Sequence, residues 1–183
     1  MKITEVRLGL ISVPLRVPFK TALRSVSSVE DVIVEIHTDT GAVGYGEAPP
    51  TGVITGDTTG AIIGAIRDHI AKTIIGRDVD DFEDLMIALN ACIQKNTSAK
   101  AAVDMALWDI KGKMANMPVY DLFGGKMRAG VPVYRHVDGA NVDEICENIE
   151  KYRSIGVKHI RCQCGGYGGG GFGPAPEWAA KGA

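Results

Sequence analysis

Residues 31–48, DVIVEIHTDTGAVGYGEA, leave little freedom in how this chain can fold. Val32, Val34 and Ile36 alternate with Ile33, Glu35 and His37, the two-residue period of a strand whose two faces differ. Asp39-Thr40-Gly41 is a tight-turn signal, and AVGYGEA returns as the partner strand. Residues 2–13, KITEVRLGLISV, alternate well enough for another strand, which Pro14 and Pro18 are expected to end. The result is an antiparallel three-stranded meander, with a polar loop, FKTALRSVSS at 19–28, between its first two strands. His37 reads as a solvated edge residue rather than a ligand.

After a second loop, PPTGVITGDT, the period changes to that of a helix. Across 58–74, Ile62, Ala65, Ile66, His69, Ile70 and Ile74 share one face, which makes His69 a core or boundary histidine. A short helix over 80–94 has Phe82, Leu85, Met86 and Leu89 on its apolar side. A third helix, which Ser98 can cap, repeats Val103, Ala106, Leu107, Ile110 and Met114 until Met117-Pro118 ends it. Trp108 lies beside that stripe and is expected to pack on a neighbouring element. VYDLFGG closes this unit near Gly125.

Beyond it, GVPVYRHV reads as a strand and NVDEICENIEKYRSIG as a helix with Ile145, Ile149 and Tyr152 inward. VKHIRCQC reads as a second strand, so the three elements predict a right-handed βαβ unit with parallel strands. The expected division is a domain over 1–125 and the start of an α/β domain over 126–183. His136, near the end of the first of these strands, is a candidate site residue, with a structural role the stronger reading. His159 has no evident partner in the sequence.

A net charge of −2 gives no reason to expect nucleic acid or an anionic membrane as partner. No apolar stretch nears the length of a spanning helix, and the N-terminus lacks a signal peptide's apolar core, so a cytoplasmic location is expected. Cys162-x-Cys164 lacks the spacing of common zinc or redox motifs, and both thiols are expected to be reduced and packed in or near a core. Gly166-x-Gly168-x-x-Gly171 formally fits a dinucleotide fingerprint. The helix that must open directly after it is missing, because FGPAPEW follows; an active-site loop is the better reading.

VPFKTALRSVSSVEDVIVEI, DTGAVGYGEAPPTGVITGDT, NTSAKAAVDMALWDIKGK and PVYDLFGG occur in order over the first two thirds of the chain. Together they resemble the N-terminal capping domain of the enolase superfamily, in its mandelate racemase and muconate lactonising branch. Within that branch the cap looks most like the dipeptide epimerases acting on L-Ala-D/L-Glu. The resemblance implies an α+β capping domain, a three-stranded meander plus helices, followed by the first β/α units of an incomplete TIM-type barrel.

It also implies a function: metal-dependent removal of a proton next to a carboxylate, on a small dipeptide or sugar-acid substrate. Two cap loops, here 19–28 and 50–58, would close on that substrate. Arg24 would bind the side-chain carboxylate of a substrate Glu, which suits a guanidinium fork, and Ile54 would pack over the ligand. Phe19, at the head of the first loop, is a further substrate-binding candidate. Without the resemblance, Arg24 would read as an ordinary solvated loop arginine.

Two departures stand against the family pattern. Epimerases of this type carry Lys-x-Lys at the end of the second barrel strand, whereas this chain has Arg161-Cys162-Gln163. The phrase VYRHVDG…HIRCQCGGYGG looks more like the acid-sugar dehydratases, such as mannonate dehydratase, in which an arginine here works with a loop tyrosine as base. Arg161 and Tyr167 are the corresponding catalytic candidates. Secondly, the residues after 128 hold two strands and one helix, against about 250 residues for a complete barrel. Mg2+ is expected for the intact family enzyme, but no acidic set for it is found in this sequence, so no metal ligand is assigned. The chain reads as truncated or hybrid, with homo-oligomerisation or association through exposed barrel edges expected. A non-catalytic cap module that binds a partner or ligand is the alternative.

Overall fold

The computed structural model of the chain describes residues 1–20, 25–137, 139 and 141–162. Two compact units divide it: Met1–Val17 with Ser27–Lys126, and Pro18–Val26 with Met127–Ala183. No helix among the described residues is long and apolar enough to cross a membrane.

The sheet of the first unit has the order β1 (Ile3–Lys20), β2 (Ser25–Thr38), β3 (Val43–Ala48). The β2–β3 pairing is antiparallel, from Val32 opposite Ala48 to His37 opposite Val43. Val32, Val34 and Ile36 are fully buried, as their alternation predicts. Gly41, at φ +82°, makes the turn, and the Thr38 amide donates to the Ala42 carbonyl at 3.0 Å.

Three expectations for this sheet need correction. Strand β1 runs through Pro14 and Pro18 instead of ending there. It is an edge strand, where a missing ladder donor is tolerated. The supposed loop 19–28 is strand at both ends, since β1 reaches Lys20 and β2 starts at Ser25. His37 is not at an edge: β2 is the central strand, and the half-buried ring sits 3.0 Å from Glu35 through Nε2.

The helical layer begins with α1 (Thr59–Ala65), a π turn (Ile66–Ile70) and α2 (Ala71–Ile74). Thr58 caps α1, its hydroxyl accepting from the Ala61 amide at 3.2 Å. Ile62, Ile66, Ile70 and Ile74 are buried at four-residue intervals. On a regular helix that spacing drifts by about 40° per step. The wider π turn winds back part of the drift and holds the isoleucines in one stripe. It also turns His69 out to solvent, against the expected boundary position.

Helix α3 (Phe82–Ala91) buries Leu85 and Leu89, and α4 (Thr97–Ala115) buries Val103, Ala106, Leu107 and Ile110. Ser98 lies inside α4 and does not cap it; the N-cap is Asn96, in the left-handed region. Met114 is exposed, because the helix is ending there at Asn116, a left-handed C-cap. Trp108 packs as expected, with its ring centroid 4.6 Å from Phe82 and 4.5 Å from Phe123. Phe123 follows the one-turn helix α5 (Val119–Leu122).

The second unit contains β4 (Tyr134–Val137), α6 (Val142–Ser154) and β5 (His159–Cys162). The strands are parallel and paired Tyr134 to His159 through Val137 to Cys162, the βαβ unit that the sequence predicts. Asn141 caps α6 by accepting from the Glu144 amide at 2.9 Å. Asp143 and Glu144 in its first turn, and Lys151 and Arg153 in its last, complement the helix dipole. Val137 and Ile145 are buried. Cys162 is exposed rather than packed, since among the described residues β5 pairs with β4 alone. Cys164 and the glycine run lie outside the described residues.

Candidate functional site

In the first unit the candidate is the segment between β3 and α1, which is held by its own hydrogen bonds. The amides of Ile54 and Thr55 donate to the Thr51 carbonyl at 2.8 and 2.9 Å. The Thr51 and Thr55 hydroxyls meet at 2.8 Å, and Gly56 turns the chain at φ +84°. Asp57 is tied to the helical layer, its Oδ2 accepting from the Ser98 hydroxyl at 2.6 Å. Ser98, read from the sequence as a cap, is an anchor for this segment instead. Ile54 rides on the braced turn with 59% of its surface exposed, beside an exposed Val53. An apolar side chain held outward on a fixed turn is suited to covering a ligand.

In the second unit Arg161 lies on β5 directly opposite His136 on β4, and its side chain is exposed. Residues in register on parallel strands project to the same face, so the pair offers a guanidinium and an imidazole side by side. Phe19, at the end of β1, is 56% exposed. Arg24 and Tyr167, and Gln163 beside Arg161, lie outside the described residues.

Among the described residues, no group of three or more His, Cys, Asp or Glu side chains is placed to hold a metal ion. A magnesium ion takes oxygen ligands in near-octahedral geometry, carboxylates among them. The side chains described here do not fit such a site, and no chemical step is routed through one.

Sequence reasoning passed over two features that shape the first unit. Gly44 and Gly46 let the β3 backbone press on α4: a Cβ at Gly46 would overlap the Ala102 carbonyl, and one at Gly44 the Ala106 carbonyl. The signal was legible, since glycine inside a strand often marks close backbone approach. The outer edge of β3 is then capped from α4. The Tyr45 amide donates to Asp109 at 2.9 Å, and Lys113 Nζ donates to the Val43 carbonyl at 2.6 Å and to Asp109 at 2.7 Å.

The family model for the N-terminal domain of mandelate racemase / muconate lactonizing enzyme matches residues 3–124. The chain belongs to this family. Over 125 residues it is 54% identical to the L-Ala-D/L-Glu epimerase of Clostridium acetobutylicum, covering 68% of this chain and 35% of that protein. Over 160 residues it is 40% identical to a D-galactonate dehydratase family member of Salmonella virchow, covering 83% and 37%. The solved dipeptide epimerase of Cytophaga hutchinsonii, complexed with Mg and the dipeptide D-Ala-L-Val, superposes with a TM-score of 0.79 at 30% identity. That match covers 91% of this chain and 45% of the other. The chain thus spans 35% to 45% of the length of these mandelate racemase / muconate lactonizing enzyme relatives. The meander with its helices is the capping domain of the enolase superfamily, and β4–α6–β5 supplies strands of its barrel.

Proposed function

We propose that this chain carries the substrate-covering cap of a dipeptide epimerase-type enzyme, with a domain boundary near position 125. Arg24 grips a carboxylate of the ligand, and Ile54 and Phe19 lie over its apolar parts. The reaction class is removal of a proton next to a carboxylate. The outward Ile54 on its hydrogen-bonded turn carries this reading, since that turn fixes an apolar cover without burying it. The high identity to an L-Ala-D/L-Glu epimerase across the cap supports the dipeptide class.

Calorimetric titration with L-Ala-D-Glu tests the assignment. Arg24→Ala is expected to weaken binding about tenfold or more, the loss of a charge-assisted hydrogen-bonded pair. Ile54→Ala should weaken it about threefold to tenfold through lost apolar cover. Unchanged affinity in Arg24→Ala would remove that residue's role.

A second reading, sugar-acid dehydration, rests on Arg161, where the epimerase resemblance implies a lysine, and is supported by its register with His136 and by the identity to a D-galactonate dehydratase family member. Incubation with magnesium and either substrate class separates binding from catalysis. The purified 183 residues are expected to give neither solvent deuterium exchange at the substrate α-carbon nor dehydrated product. Robust turnover of a dipeptide or a sugar acid would overturn that expectation and identify the reaction. The β4–β5 sheet suits pairing with further strands, which makes association through it part of the proposal.

A further inference from the structure

A cavity of about 200 Å³ lies in the first unit, between strand residues 10–12 and 30–31 and the two ends, Pro50 and Thr59, of the segment that carries Ile54. Leu10, Ile11 and Pro50 form its apolar wall, Ser12 and Thr59 contribute hydroxyls, and Glu30 and Asp31 contribute carboxylates. Asp31 is only 7% exposed, and its Oδ1 is buried with no hydrogen-bond partner among the described residues. The Val32 amide serves the carboxyl, and the charged group acting on it is Glu47, of the same sign. A buried carboxylate with an unmatched oxygen and, among the described residues, no cation acting on it is costly, and a positively charged ligand would relieve that cost.

The chemistry narrows the class of cation. No cluster of three or more ligating side chains stands here among the described residues, so a divalent metal with its six or more oxygens is not matched. An ammonium group needs acceptors for only three N–H bonds, and two carboxylates with two hydroxyls supply them. The cavity volume suits a short alkyl chain behind that group, laid on Leu10, Ile11 and Pro50.

We propose that this cavity is a binding site for a small primary ammonium ion, held by Asp31 with Glu30, Ser12 and Thr59. The proposal uses neither Arg24 nor Ile54 and does not depend on the carboxylate recognition assigned to Arg24.

The test is a titration of the full chain with methylammonium chloride at neutral pH, read by backbone amide NMR shifts and by thermal midpoint. Tetramethylammonium, which has no N–H donor, and sodium chloride serve as matched controls. Methylammonium is expected to shift the amides of Ser12, Asp31 and Thr59 saturably and to raise the midpoint, with the controls doing neither. Asp31→Asn, close in shape, should weaken methylammonium binding by about tenfold or more. A paired Ser12→Ala/Thr59→Val variant should weaken it less and leave the Asp31 response in place. Equal responses to methylammonium and tetramethylammonium, or an unchanged response in Asp31→Asn, would overturn the site.

Discussion

Gly46→Ala is expected to destabilise the folded chain by about 3 kcal/mol or more, a large effect for one added methyl. The methyl would overlap the carbonyl of Ala102, whose atoms are locked in the middle of α4. Neither side can give way cheaply. Moving β3 outward breaks its pairing with β2, the hydrogen bond that the Tyr45 amide donates to Asp109 and the one that the Val43 carbonyl accepts from Lys113. Moving α4 opens the core around Ala102, Ala106 and Ile110. Urea unfolding of the full chain measures the change, with Gly60→Ala as the control. Gly60 lies exposed in α1 with open space around it, so alanine there should stabilise by up to about 1 kcal/mol. A Gly46→Ala protein within 0.5 kcal/mol of the parent, the usual scatter of neutral surface changes, would show that β3 and α4 do not approach so closely.

Asp31→Asn should act in the opposite direction and stabilise the chain at neutral pH by about 1 kcal/mol. Burial first, then the nearby Glu47, hold the Asp31 carboxyl above the usual carboxylate range, partly offset by the Val32 amide. Folding therefore favours the protonated form of this group. Its contribution is fully present below the unfolded carboxylate range, near pH 4, and is lost as pH rises through the raised folded value. The exposed carboxyls of Glu5 and Asp68 and the half-buried one of Asp78 are shifted the other way by their hydrogen-bonded partners and act oppositely. The difference between parent and Asp31→Asn isolates the one group. Thermal midpoints from pH 4 to pH 8 should show the variant's advantage growing with pH. A constant difference across that range would mean that Asp31 is not destabilised by its charge.

Much of the first unit was legible because alternation and helical period report directly on which side chains are buried. Val32, Val34 and Ile36 in β2, and Val103 through Ile110 in α4, fall where their spacing places them. The failures have physical causes. Proline breaks a strand only where a neighbour needs its missing donor, and β1 is an edge. His69 was placed on a regular helix, and the π turn displaced it. Ser98 has a capping residue's chemistry, and it used that chemistry across 41 positions of sequence, on Asp57. Of the candidate site residues, Ile54 on its braced turn, Phe19 on β1 and Arg161 in register with His136 are described, whereas Arg24 and Tyr167 fall outside the described residues.

By itself the sequence determined the order of the elements, the faces they bury and the family motifs, all of which depend on neighbours a few positions apart. Tertiary structure alone decided which groups meet across long separations. It set the glycines of β3 against the carbonyls of α4, the Asp57 carboxylate against Ser98, and Asp31 out of water with one oxygen unanswered among the described residues. Local periodicity shows that a side chain is turned inward; only the packed partners decide what its polar atoms find there.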